Sequence, residues 1–328
     1  MKRLNLLIFV SLVFSVLFVS PIQAQTIFKM AFVAPPPVWG PVAEKYGQIV
    51  AQKTNNQFQI KWFGGGQLGS LPQIIAGIKT GQIDMILCDL ASLAIAKGGK
   101  DFYIMFAPYA FRDQEHFRKT LTSPVYKEMV EKVEREGGFK YIGYVSDRAP
   151  RQITTSNRRV TKLEDLKGLK IRVPEIKIIM DIMKAWGAAP TPLAASELYT
   201  ALKQGVVDGQ DNGFDSIAQA KYYEIQKYVI VVDYVRSGLI VLMAMDHWNN
   251  LKPEQKKAFE EAAGETEKWA TKWTNDSVEE SIDILKKNGM EIIYPDLGPF
   301  KKIAAEANKK FEGDLWEKGL FDKIQAVK

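Results

Sequence analysis

The sequence feature that most restricts the fold is a strand–helix–helix–strand pattern in residues 166–212. Its first strand, residues 168–174, alternates apolar side chains with Lys170 and Arg172, which is typical of a half-buried strand with both cations on one face. Two helical segments follow, each ending at a glycine, and the short apolar run 206–209 predicts a buried strand. This order of elements predicts an α/β fold.

The pattern places Arg172 and Asn212 at strand ends, where open α/β sheets bind ligands in the crevice. An arginine fork there can bind a carboxylate or sulfonate through two parallel hydrogen bonds. The same spacing also fits an exposed arginine on an edge strand. Spacing alone leaves both interpretations of Arg172 open.

Three parts of this stretch carry a family resemblance: LKGLKIRVP, GAAPTPLAASELYTAL and GVVDGQDN, in that order and spacing. They resemble the solute-binding proteins of tripartite ATP-independent periplasmic (TRAP) transporters, the DctP family. The resemblance implies a two-lobe, class II-like periplasmic-binding-protein fold, with a ligand cleft between the lobes. It also implies that a long helix, starting near Pro253, spans both lobes.

The N-terminus resembles a secretory signal. Lys2 and Arg3 precede a largely apolar segment that ends at Pro21, and Ala24 is a suitable residue before a cleavage point. We therefore expect residues 1–24 to be removed and the mature protein to be periplasmic. An uncleaved membrane anchor is the alternative, disfavoured because the apolar run is shorter than the roughly 20 residues that a spanning helix needs.

The chain of 328 residues, 46% of them hydrophobic, is long enough for two lobes with separate cores. We expect the first lobe to comprise residues 25–148 and about 238–277. The second would comprise residues 149–237 and about 278–328.

Composition argues against several classes of function. The net charge of +6 is mild, and no Lys/Arg cluster interleaved with aromatic residues marks a nucleic-acid site. The only cysteine, Cys88, lies in a buried-strand pattern, and the histidines His116 and His247 lack metal-ligand spacing. We therefore expect no nucleic-acid partner, no metal, no cofactor and no catalytic residue.

Further candidate ligand-binding residues lie in loops that follow strands. Trp39 lies in a strand-to-helix loop, where it either faces the ligand or anchors the loop. Asp89 follows the third predicted strand and, by resemblance, lies where family members often carry an acidic ligand-contacting residue. After Asn212, Phe214 could form an apolar wall and Asp215 could accept a hydrogen bond from a ligand hydroxyl or amine.

Two more arginines precede a Thr/Ser-rich strand. Arg151 matches, by its distance from residues 154–156, an arginine that touches the ligand in the family. Arg148 is an additional cation, either in the pocket or paired with Asp147 or another surface carboxylate. By resemblance, Arg172 would clamp the acid group, with Arg151 and Asn212 completing its hydrogen bonds.

The resemblance implies a protein that captures a small organic anion and delivers it to the small and large subunits of a TRAP membrane permease. Leu71, Ser92 and Ala195 stand where some relatives carry an aspartate, an arginine and an aromatic residue, which favours a compact solute. The candidates are C4-dicarboxylates, 2-oxo or hydroxy acids, and small sulfonates such as isethionate. We expect a monomer, although a self-associating long helix would give a dimer.

Two alternatives belong to other functional classes. The same pocket would serve a binding protein that reports to a sensor rather than to a transporter. An enzyme acting on a small acid has weaker support, because the sequence contains no G-x-S-x-G elbow and no metal cluster. Asp208 and Asp211 are paired carboxylates, but strand-end solvation and backbone capping explain them equally well.

Overall fold

The structure is a computed structural model that describes residues 25–328, so the signal predicted for residues 1–24 lies outside the described residues. The strands are β1 (Thr26–Ala31), β2 (Phe58–Phe63), β3 (Met85–Asp89), β4 (Phe139–Arg148), β5 (Gln152–Thr155), β6 (Lys170–Val173), β7 (Ala189–Pro192), β8 (Gly209–Asn212), β9 (Tyr228–Ile230), β10 (Ser237–Ala244) and β11 (Glu291–Ile293). The α-helices are α1 (Pro36–Lys53), α2 (Leu71–Lys79), α3 (Gln114–Leu121), α4 (Pro124–Gly137), α5 (Lys177–Ala185), α6 (Leu198–Lys203), α7 (Phe214–Gln219), α8 (Met245–Asn250), α9 (Pro253–Lys287), α10 (Gly298–Phe311) and α11 (Leu320–Gln325).

The strands of the described chain pair into two sheets. The first sheet has five strands in the order β2-β1-β3-β10-β4, and the second has six in the order β11-β9-β5-β8-β6-β7. In the first sheet β1 pairs in parallel with β2 and β3, while β10 runs antiparallel to β3 and β4. Two mixed sheets, each packed against helices, confirm the predicted two-lobe α/β architecture.

The chain passes from one sheet to the other after β4, after β9 and along α9. The first two passages lie side by side, because Arg148 at the end of β4 pairs with Ser237 at the start of β10. The side-chain oxygen of Gln152 accepts hydrogen bonds from the backbone N–H groups of Val232 (2.9 Å) and Asp233 (3.1 Å). One side chain therefore ties the two adjacent passages together.

Helix α9 is 35 residues long and packs against both lobes. It lies on β4 at Gly143, where a Cβ atom would come within 2.8 Å of the Ala263 side chain, so glycine permits this close approach. Further along, Leu285 is buried among side chains of the second lobe, including Ile217 of α7. The long helix spanning both lobes is confirmed.

The structure of residues 166–212 differs from the predicted strand–helix–helix–strand pattern in two ways: an additional strand, β7, lies between the two helices and pairs with β6, and the last strand is shifted. The last strand is β8 rather than the apolar run 206–209, and Val206 is 49% exposed. Asp208 instead joins the chain to the sheet, because its side chain accepts a hydrogen bond from the backbone N–H of Lys170 at 2.8 Å. The apolar run therefore leads into the strand that carries Asn212.

The C-terminal helices contact both halves of the molecule. The Trp186 indole donates a hydrogen bond to the Phe300 carbonyl (3.2 Å), which holds α10 against α5. The Asn308 side chain donates to the Pro108 carbonyl (3.0 Å), in the segment assigned to the first lobe from the sequence. Residues 298–325 therefore bridge the two sheets at the end of the chain.

Candidate ligand-binding site

A cavity lies between the two sheets, where the ends of β3, β4, β6 and β8 approach one another. It leaves about 90 Å³ open to the centres of water molecules, which is room for a compact solute. Its walls come from both lobes, and the predicted residues that line it are Trp39, Asp89, Arg148, Arg151, Arg172 and Asn212. The cavity thus brings together residues that are far apart in sequence but lie at or near the ends of strands, where α/β sheets bind ligands.

Arg172 is buried in β6 and is held in place by one backbone carbonyl. Its Nε and Nη2 atoms donate hydrogen bonds to the Leu193 carbonyl oxygen, at 2.9 and 2.7 Å. Its Nη1 atom makes no hydrogen bond within residues 25–328, and no carboxylate of the described chain forms an ion pair with it. Half of the guanidinium fork therefore stays free in the cavity wall.

The charge on Arg172 is unfavourable in this position. Burial lowers the pKa of Arg172 below its ordinary value, although Asp211 favours the charged form from a distance. A guanidinium remains protonated under all ordinary conditions, so the cost takes the form of an uncompensated positive charge. A bound anion would supply the missing compensation.

Arg151 lines the same cavity but already has a buried partner. Its Nε atom donates to Asp211 Oδ2 at 2.5 Å, and its Nη2 atom donates to the Asp211 carbonyl oxygen at 2.7 Å. Tyr234 donates a further hydrogen bond to the same carboxylate oxygen. Burial opposes the charge on Arg151, but Asp211 outweighs it and raises the pKa of Arg151. Asp211 is therefore a buried counter-ion and not the solvated strand-end residue that the sequence also allowed.

Arg148 also has a counter-ion in the cavity wall. Its Nη1 atom donates to Asp89 Oδ2 at 2.6 Å, and its guanidinium lies 5.2 Å from the centre of the Trp39 ring. Asp89 further accepts hydrogen bonds from the Ala91 N–H (3.0 Å) and the Ser237 hydroxyl (2.7 Å). The partner of Arg148 is Asp89, whereas Asp147 pairs with Arg118.

The remaining predicted residues occupy different surroundings. Asn212 is half-buried in the cavity wall and donates to the Gln210 side chain at 2.7 Å. Phe214 and Asp215 are not among the cavity-lining residues; Phe214 packs in the core of the second lobe. Burial raises the pKa of Asp215, while Arg148 favours its charged form. The cavity therefore unites Asn212 with the three arginines but not with its two neighbours on α7.

Several cavity residues escaped the sequence analysis. Glu175 directly follows Pro174, which closes β6, so the strand-end rule could have identified it. Ser216 lies two residues after Phe214, on another side of α7, and Tyr222 follows that helix. Burial raises the pKa of Tyr222 to about 12. The helical period of α7 could have identified Ser216 from the sequence, because a step of two residues places it on a different side of the helix from Phe214.

The chain resembles known proteins over most of its length. A family model described as bacterial extracellular solute-binding protein, family 7 (DctP), matches residues 31–314. The chain belongs to this family. Its members include binding proteins of TRAP transporters, so the predicted family is confirmed and the protein is a TRAP solute-binding protein for small acids. The family is periplasmic, and TRAP solute-binding proteins work with membrane permease subunits.

Individual relatives differ in their ligands. The chain is 29% identical to the Escherichia coli 2,3-diketo-L-gulonate-binding periplasmic protein YiaO over 251 residues, covering 76% of this chain and 75% of the other. It is 26% identical to the Bacillus subtilis C4-dicarboxylate-binding protein DctB over 274 residues, covering 83% and 77%. A TRAP solute-binding protein from Polaromonas sp. JS666 bound to D-erythronate has a TM-score of 0.85 and 29% identity, covering 93% and 99%. Relatives with similar identity to this chain therefore bind different ligands.

Two structural features accompany the family assignment. In residues 25–328, no helix combines the length and apolar character needed to cross a membrane. The same residues contain no cluster of three or more His, Cys, Asp or Glu side chains placed to hold a metal ion.

Proposed function

We propose that this protein captures a small organic anion, a carboxylate or a sulfonate, in the periplasm and delivers it to the small and large subunits of a TRAP permease. The observation that carries the proposal is the free, buried and uncompensated end of Arg172 in a cavity between two lobes. An acid group there would accept charge-assisted hydrogen bonds from a fork already fixed by the Leu193 carbonyl. Asn212 and Arg151 would lie beside the bound acid group.

Capture would proceed by closure of the two lobes around the ligand. The walls already meet closely: a Cβ atom on Gly66, from the first lobe, would lie 3.5 Å from the Ser196 hydroxyl, from the second. Closure excludes water and strengthens the charge interaction at Arg172. Since the ligand binds the closed arrangement better, it shifts the population towards that state.

The chain passages between the sheets support boundaries for the moving parts. We propose lobes of residues 25–148 with about 238–277, and 149–237 with about 278–328, which turn about the passages after β4 and β9. The reaction at this site is reversible binding, with no covalent bond made or broken. We expect a monomer, which light scattering coupled to gel filtration of the mature chain would check.

A thermal-shift screen tests the binding function directly. The mature chain is heated with carboxylates, sulfonates, uronic acids and amino acids, because a ligand of the folded state raises the melting temperature by mass action. One small acid should give a clear shift that Arg172→Met abolishes, while Arg158→Met, an exposed arginine outside the cavity, preserves it. A response that survives Arg172→Met would refute the assignment of the clamp.

Two further readouts separate transport from the alternatives. Nuclear magnetic resonance of the bound acid after long incubation should show it unchanged, whereas its consumption would indicate an enzyme. Cells lacking the protein should lose uptake of that acid, and adding the purified protein to their spheroplasts should restore it. Unchanged uptake would favour a sensor-linked role.

A further inference from the structure

The charges in the cavity wall balance except at two residues. Arg148 and Arg151 each form an ion pair with a buried aspartate, Asp89 and Asp211 respectively. Within the described chain, Arg172 has no such partner. The arginines and their aspartates therefore leave one positive charge for a ligand to neutralise.

Glu175 is the second uncompensated group. It lies on the cavity wall three residues after Arg172, is half-buried, and forms no ion pair or side-chain hydrogen bond within residues 25–328. Its carboxylate is close enough to Arg172 to favour the charged guanidinium electrostatically, and burial remains the larger influence. A carboxylate can only accept hydrogen bonds, so Glu175 presents an acceptor and a negative charge to the ligand.

Hydroxyl groups supply the rest of the polar wall. The Ser216 hydroxyl is buried in the cavity wall beside the Asp215 carboxylate, whose charged form it favours. Ser92, almost fully buried, and Tyr222 also line the cavity, and neither side chain makes a hydrogen bond within residues 25–328. The Ser92 and Tyr222 hydroxyls can each donate and accept a hydrogen bond in the cavity, so they favour a ligand with hydroxyls of its own.

We propose, resting on the function proposed above, that the cavity selects a compact acid with a single negative charge and one or more hydroxyl groups, and that Glu175 excludes a second acid group. Arg172 binds the acid, whether carboxylate or sulfonate. Glu175 accepts a hydrogen bond from a ligand hydroxyl and repels a second anionic group. C4-dicarboxylates are thereby disfavoured, in contrast to the ligand named for the Bacillus subtilis relative.

Matched ligand pairs test this selectivity by isothermal titration calorimetry of the mature chain at pH 7. Erythronate is compared with malate and succinate, glycerate with malonate, and isethionate with sulfoacetate. In each pair the singly charged hydroxy acid should bind at least roughly tenfold more tightly, because the second charge meets Glu175 rather than a free cation. Tighter binding of the doubly charged acids would overturn the proposal while leaving the binding function intact.

Glu175→Gln isolates the role of this carboxylate. The substitution keeps the side-chain size and a hydrogen-bond acceptor but removes the charge. The ratio of affinities for the singly charged over the doubly charged acid should therefore fall by roughly tenfold. Glu164→Gln, an exposed glutamate outside the cavity, should leave the preference unchanged. An unchanged preference in Glu175→Gln, with both ligand classes still binding, would refute the assignment of Glu175.

Two additional arms complete the test. Serine compared with glycerate distinguishes an ammonium donor from a hydroxyl donor, and tighter binding of serine would overturn the hydroxy-acid assignment. Absence of binding by every acid, in protein with a cooperative unfolding transition, would refute both this proposal and the function on which it rests.

Discussion

Arg151 and Arg172 lie in the same cavity with the same 4% exposure, yet their surroundings differ in one respect. The region around Arg151 contains a buried carboxylate, Asp211, whereas the region around Arg172 offers the neutral Leu193 carbonyl. The charge of Arg151 is therefore compensated by a carboxylate of the protein itself, whereas the charge of Arg172 would be compensated by a bound anion. Burial alone does not identify a ligand-binding cation; the presence or absence of a counter-ion does.

The largest expected effect is on stability, from Arg151→Met. The substitution leaves Asp211 fully buried without its counter-ion, which should lower the free energy of unfolding by about 3–5 kcal/mol. Urea denaturation measures the change. The double variant Arg151→Met with Asp211→Asn should recover much of the loss, because it no longer strands a charge. A loss below about 1 kcal/mol in the single variant would contradict the structural role of this pair.

Arg172→Met should give the opposite result. Losing the free fork should weaken ligand binding by about 2–5 kcal/mol, since a charged hydrogen-bonding partner of the ligand disappears. The ligand-free protein should be as stable as the wild type or more so, because an uncompensated buried cation has been removed. Calorimetry measures the affinity and urea denaturation the stability. Substantial destabilisation of the ligand-free variant would contradict this prediction and show that Arg172, like Arg151, stabilises the fold.

Arg148→Met should lie between the two cases. Its counter-ion Asp89 keeps the hydrogen bonds from the Ala91 N–H and the Ser237 hydroxyl, so the free energy of unfolding should fall by only about 1–3 kcal/mol. Comparison with Arg151→Met in the same denaturation series checks the order. An equal or larger loss for Arg148→Met would show that those two hydrogen bonds do not support the carboxylate.

The smallest effect concerns pH and Asp215. Burial raises the pKa of Asp215 in the folded state, so its charged form opposes folding once the pH exceeds the ordinary carboxyl pKa of about 3.9. Asp215→Asn should therefore be slightly more stable than the wild type at pH 7. This gain in stability should shrink as the pH falls towards 4. It should vanish at lower pH, where the Asp215 carboxyl is protonated in the folded and the unfolded protein. Thermal unfolding from pH 3 to 7 measures this, and a pH-independent difference would contradict the burial argument.

The sequence predicted the strand ends of the cavity but not which arginine would be compensated. Alternation in β6 correctly indicates a strand, yet Lys170 is exposed while Arg172 is buried, because only Arg172 lies where the second lobe faces the cleft. The Arg151–Asp211 pair joins positions on different strands, β8 and the approach to β5, whose contact depends on sheet pairing. Local periodicity contains no information about that pairing.

The α7 region illustrates the same limit at shorter range. Phe214 and Asp215 were predicted to meet the ligand because they come shortly after Asn212, with only Gly213 between. The chain enters a helix at Phe214, and a step of two residues turns the side chain by about 200°, so Ser216 reaches the cavity while Phe214 enters the core. The side-chain period therefore changes from two in β8 to 3.6 in α7, which changes the residues that line the cavity.

Helix α9 has a mechanical consequence for ligand release. At 35 residues it is about 52 Å long, and it is anchored to β4 at one end of its course and to the core around α7 at the other. We expect widening of the cleft to curve this helix or to shift its contacts with one lobe, and curvature lengthens the backbone hydrogen bonds on one side. We therefore expect opening to be felt along the longest element of the molecule, and amide hydrogens in the central turns of α9 should exchange at different rates with and without ligand.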